Sequence, residues 1–87
     1  MSETVQCWLV ERDYEHESMV KLVYATVAGG RHVTQQRSSA LLRERPVTAG
    51  IAVEPDRLEP VTDEADRERY AAEARRVAEN NDPDDHL

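Results

Sequence analysis

Two runs near the start of the chain alternate apolar and polar positions with the two-residue period of a strand. In VQCWLV, residues 5–10, Val5, Cys7 and Leu9 fall on one side and Trp8 and Val10 on the other. In MVKLVYATVA, residues 19–28, Met19, Val23, Ala25 and Val27 oppose Val20, Leu22 and Tyr24. Both runs are rich in β-branched and aromatic residues and are bounded by polar or glycine clusters. Both faces of each carry apolar side chains, so each strand is expected to be central or to have one face covered by another chain. The polar stretch between them, ERDYEHES, reads as the connection of a hairpin.

Further along, Gly29 and Gly30 supply positive φ for a two-residue turn, after which residues 32–34 continue as a third strand. RSSALLRERP predicts a short helix capped by Ser38 or Ser39, with Leu41 and Leu42 facing inward and Pro46 ending it. Residues 47–53 form a fourth apolar run closed by Pro55, and PDRLEP is a turn-rich connector tacked down by Leu58 and Val61. The clearest helix is TDEADRERYAAEARRVAEN. Thr62 is placed to cap it, acids load its first turns, and Asp63–Arg67, Arg69–Glu73 and Arg75–Glu79 are spaced for i,i+4 pairs. Its stripe of Tyr70, Ala71, Ala74, Val77 and Ala78 is narrow and built of small side chains, which suits close approach to a sheet.

The expected architecture is α+β. It has a small, mainly antiparallel sheet of three to four strands, a short middle helix, and a longer C-terminal helix packed on one face. Residues 1–80 are expected to form a single domain, with NNDPDDHL ending in a disordered acidic tail over 81–87.

Composition changes this picture in two ways. A chain of 87 residues buries only about 60 to 65% of the surface its unfolded form exposes, and with no Phe and one Trp the core is thin. The formal charge is −7, and ten of the eleven basic residues are arginine, leaving Lys21 as the only lysine. This acidic, lysine-poor, Ala- and Val-rich composition resembles that of the small acidic cytoplasmic proteins of halophilic archaea. The resemblance is one of composition alone and involves no motif. It implies a fold that salt stabilises, because carboxylate repulsion opposes compaction until the Debye length falls to about 3 Å near 1 M.

Chemistry-bearing motifs are sparse. Cys7 is the single cysteine, so an internal disulfide and CxxC chemistry are excluded, and mid-strand it reads as a small buried hydrophobe. The N-terminus lacks the basic and apolar regions of a signal peptide, and no run approaches the roughly 18 to 20 apolar residues of a membrane span. A soluble, cytoplasmic protein without membrane contact is expected. Asp13, Glu15, His16 and Glu17 could meet at the hairpin tip, but neither the multiple His/Cys set of a zinc site nor a calcium loop is present. Ser38-Ser39 lacks the strand–turn–helix elbow of a serine nucleophile. With 18 acids, no carboxylate pair stands out as acid and base. No metal, cofactor or catalytic residue is assigned, and the chain is not expected to be an enzyme.

One segment runs against the overall charge. Residues 31–45 carry Arg31, Arg37, Arg43 and Arg45 against the single acid Glu44, a local charge of +3 that leaves −10 for the rest. These arginines either pair with carboxylates of the last helix or of a neighbouring subunit, or form a surface for phosphate or nucleic acid aided by Gln35 and Gln36. The leading expectation is a non-enzymatic interaction module for a high-salt cytoplasm. It would form a homo-oligomer or bind a protein partner through exposed Trp8, Val20, Leu22 or Tyr24. The alternative is a nucleic-acid or phosphate-ligand binder acting through the four arginines.

Overall fold

The computed structural model describes residues 3–16 and 18–87. The chain runs β1 (Val5–His16), β2 (Met19–Ala25), β3 (Arg31–Ser38), α1 (Ser39–Glu44), β4 (Gly50–Val53), a 3-10 turn at Pro55–Arg57, β5 (Glu59–Pro60) and α2 (Glu64–Asn80). All strand pairs are antiparallel, in the order β4-β1-β2-β3-β5. The fold is therefore α+β with a five-stranded sheet, not three to four strands. The strand missing from the sequence reading, β5, is two residues long and ends in a proline, too short to show any period.

β1 is also longer than expected. ERDYEH is not a loop but the second half of the strand, paired with β2 out to His16↔Met19. The register shifts between Leu9 and Glu11, the signature of a bulge. Before it Leu9 shares a face with Tyr24; after it Arg12 and Tyr14 share that face with Leu22 and Val20. The bulge thus reverses the phase of the alternation, and the polar second half carries no continuous pattern that sequence could follow. Glu17 and the side chain of His16, two of the four hairpin-tip candidates, lie outside what the structure describes.

The sheet has one cluster on each face. Cys7, Leu9, Val20, Leu22, Tyr24, Val33, Val47 and Val53 form the first, with Leu42 of α1 and Leu58 of the connector packed on it. Trp8 and Ala49 meet Ala74 and Val77 of α2 on the second. The alternation read from sequence assigned these faces correctly within each strand, and both are covered from within the chain.

α2 is capped by Asp63, whose Oδ1 accepts from the Asp66 amide at 3.1 Å, and not by Thr62. None of the three expected i,i+4 pairs is among the ion pairs of the described residues. Arg69 bonds Glu11 of β1 and Asp66, each at 3.1 Å, while Arg76 pairs with Glu73 and the Arg67 guanidinium donates to the Val61 carbonyl at 2.7 Å. Lying on the sheet, α2 spends these cations on neighbours beneath it and at i,i+3 instead.

The β2–β3 turn is longer than two residues. The Gly29 amide donates to Thr26 at 2.8 Å, and of the two turn glycines only Gly29 has positive φ, at 73°. Residues 81–87, expected to be disordered, are held against 47–50. The amides of Ala49, Gly50 and Leu87 donate to Asp85, Pro83 and Val47, at 2.8–2.9 Å, and Thr48 bridges His86. The acidic composition of this segment is that of an exposed strap, its backbone satisfied by the strand entry it crosses.

Candidate functional site

The four residues expected to form an exposed apolar contact are buried by the chain itself. Val20, Leu22 and Tyr24 are 1 to 3% exposed, under α1 and the connectors, and Trp8 is 9% exposed, under α2. Trp8 also stands on the opposite face from the other three, so the set never forms one patch. Trp8, Val20, Leu22 and Tyr24 therefore offer no exposed contact surface. Val20, Leu22 and Tyr24 are covered by crossings of segments 39–49 and 54–58, through Leu42, Val47 and Leu58; Leu42 and Leu58 were expected to face inward, but not to cover this face of the sheet.

The arginine segment is placed differently. His32 lies in line with Ala25 and Trp8, on the α2 face, where its ring centroid is 6.3 Å from that of Tyr70. Strand alternation therefore turns Arg31, Gln35 and Arg37 to the other face. α1, carrying Arg43, follows on that side with Leu42 in the first cluster, and Arg45 caps its end. Arg31, Arg43 and Arg45 are exposed and Arg37 is half-buried, its Nη2 donating to Gln35 at 2.9 Å. Among the described residues none of the four makes an ion pair with a carboxylate. The sheet itself separates them from the carboxylates of α2, and pairing with that helix is not made. Arg12 pairs on the same face as Leu22 and Gln35, with its Nη2 donating to the Leu87 carbonyl at 3.2 Å, and Tyr14 on that face is 68% exposed. Sequence reasoning left both in a loop; the phase change at the bulge is what brings them here.

This cationic face meets an open sheet edge. β5 pairs only with Arg31 and His32, so among the described residues nothing pairs with the outer side of β3 from residue 33 to residue 38. The Gly30 carbonyl accepts from Val61 on the outer side, at 3.0 Å, and the Arg31 carbonyl accepts from Thr26 on the inner side, at 3.1 Å. In an antiparallel strand the N–H and C=O of one residue point the same way and alternate along the chain. The outward main-chain groups are therefore those of Thr34 and Gln36, both exposed, and of Ser38 where the chain enters α1. Thr34 was missed as a functional candidate, and Gln36 was read only for its side chain, because their part here is played by backbone, which residue type does not reveal.

Elsewhere the polar groups are already engaged. The depression between β1 and α2 is lined by Glu11, Arg12, Glu73 and Arg76, but Glu11 holds Arg69 and Glu73 holds Arg76. Cys7 is fully buried, and burial pushes its thiol pKa up, offset in part by Arg31. Burial likewise raises the Tyr24 phenol, against the lowering effect of Arg37 and Arg12. Such a thiol is a poor nucleophile. Among the described residues no group of three or more His, Cys, Asp or Glu is placed to hold a metal ion, and no helix is long and apolar enough to cross a membrane.

No curated protein and no solved structure matches this chain. Across residues 1–87 it matches the model described as Family of unknown function (DUF7967), and the chain belongs to that family.

Proposed function

We propose that this chain is a non-enzymatic protein-interaction module whose contact surface is the arginine-bearing β3–α1 segment. The observation that carries the reading is the position of Arg31, Arg37, Arg43 and Arg45. They lie on the sheet side away from α2, without a carboxylate partner among the described residues, beside an open strand edge. In a chain of net charge −7 such a segment is the natural landing place for acidic groups of another protein. The acidic, lysine-poor composition supports a salt-rich cytoplasm as the setting. There, charge alone contributes little, and a contact that adds main-chain hydrogen bonds and packing persists.

Exposed Tyr14 on the same face favours a second reading, a nucleic-acid or phosphate surface, since an aromatic ring beside arginines can stack a base. One ring is not a track of stacking platforms, and binding by phosphate neutralisation falls with salt at a log–log slope of about −0.7 per contact for single strands.

The test is a titration of isotope-labelled protein, followed by amide NMR, with poly-glutamate, a 12-nucleotide oligothymidylate and inorganic phosphate at 0.1 and 1 M KCl. The expected result is poly-glutamate shifts confined to 31–45. The combined variant R31Q/R37Q/R43Q/R45Q is expected to weaken them at least tenfold. Tighter binding of the oligonucleotide would transfer the assignment to the second reading, and shifts centred elsewhere would overturn both.

A further inference from the structure

The open edge and the cationic face together specify more than a sticky patch. We infer that an extended acidic segment of a partner protein adds to the sheet as a further strand alongside β3, hydrogen-bonded to the main chain of Thr34 and Gln36. This rests on the proposed function and specifies its geometry.

Three observations carry it. The free length of edge, residues 33–38, spans about 20 Å at about 3.4 Å per residue, which matches a guest strand of about six residues. The edge is stopped at one end by β5, whose first residue, Glu59, pairs with His32, and at the other by the start of α1. Its side chains divide by face. Gln35 and Arg37 lie on the cationic side, while Thr34 and Gln36 lie on the α2 side and carry no charge. β3 itself contains no acid. A guest strand with acids at alternate positions would set them toward Arg37, with Arg43 and Arg45 following on α1, and leave its other side chains beside Thr34 and Gln36.

Charged residues at a sheet edge also discourage pairing between like copies. A second copy of β3 would bring two more arginines to an edge already cationic, so the charge that opposes self-pairing is the charge that admits an acidic strand. Strand addition draws its affinity from main-chain bonds and its selectivity from alternate side chains, a division that tolerates salt better than phosphate contact.

The experiment uses the whole chain and three synthetic hexapeptides alternating Glu and Val, blocked at both ends: one unmodified, one N-methylated at each Glu, one N-methylated at each Val. All have the same charge, but N-methylation removes the donors along one edge of an extended peptide. The expected result is binding of the unmodified peptide, slowed exchange of the Thr34 and Gln36 amides, and at least tenfold loss for one methylated peptide only. Equal binding of all three would overturn strand addition while leaving an electrostatic protein contact, the proposed function, standing. Absence of any binding at 0.1 M KCl, with circular dichroism showing the fold intact, would overturn strand addition; oligonucleotide binding under the same conditions would overturn the proposed function as well. A doubled mass by light scattering, with Thr34 and Gln36 protected before any peptide is added, would assign the edge to a second copy and overturn the acidic occupant.

Discussion

A Cβ placed on Gly29 would collide with the carbonyl oxygen of Arg67 and stand 2.8 Å from the amide nitrogen of Ala71. The β2–β3 turn and the second turn of α2 thus touch backbone to backbone, and the contact locks the helix to the sheet at the point where its small-residue stripe begins. Gly29→Ala meets two penalties together, positive φ and steric overlap with main chain that has no rotamer to relieve it. The expected loss is about 1–3 kcal/mol by denaturant titration. Gly30→Ala, with nothing within 4 Å of its Cβ position, is expected to change stability far less. Equal effects would show that the helix does not seat on this turn.

The cap of α2 separates two adjacent residues. Asp63 accepts the Asp66 amide and brings negative charge to the positive end of the helix dipole. Asp63→Ala is expected to cost about 1 kcal/mol, a fall in melting temperature of about 4–8 °C for a domain of this size. Thr62→Ala, one residue earlier and exposed, is expected to be close to neutral. The reverse order, measured by thermal denaturation, would restore the sequence-based cap.

Cys7 and Tyr24 make a statement about alkaline pH. Burial raises both folded-state pKa values, so the folded protein holds its protons when the unfolded chain has begun to release them. Their contribution is full below the unfolded values, about 8.5 for the thiol and about 10 for the phenol, and is lost as pH rises through the higher folded values. Stability measured by urea titration is expected to decline above about pH 8.5, with Tyr24→Phe declining less steeply over the upper part of that range. Iodoacetamide at pH 8 is expected to label Cys7 only on unfolding. Rapid labelling of the folded chain would contradict the burial.

Salt tests the meaning of the charge. Four ion pairs join the described residues, all at the surface, and the Lys21–Glu11 contact is 3.8 Å, so screening removes little attraction. It removes much repulsion from a chain of net charge −7. The melting temperature is expected to rise as KCl increases from 0.1 to 2 M. A flat or falling curve would detach the acidic composition from any role in a salt-rich setting.

The sequence alone determined the local elements wherever one periodicity ran unbroken. Val5, Cys7 and Leu9 against Trp8, the two faces of β2, a cap of α1 at Ser38 or Ser39 and the Ala74–Val77 stripe of α2 were all legible, because each follows from neighbours within a turn or a few strand residues. Tertiary structure decided the rest. The bulge after Leu9 turned a polar stretch into strand, the 81–87 strap settled on 47–50, and Arg69 paired with Glu11 of β1 and with Asp66 in place of Glu73. It decided the candidate site too, since the distance of the arginines from the α2 carboxylates is the thickness of a sheet, and the unpaired groups of Thr34 and Gln36 exist because β5 joins the edge only at Glu59, opposite His32. Residue type encodes the reach and chemistry of a side chain; which main-chain groups remain without a neighbour depends on how every strand is ordered, and that is a property of the assembled chain.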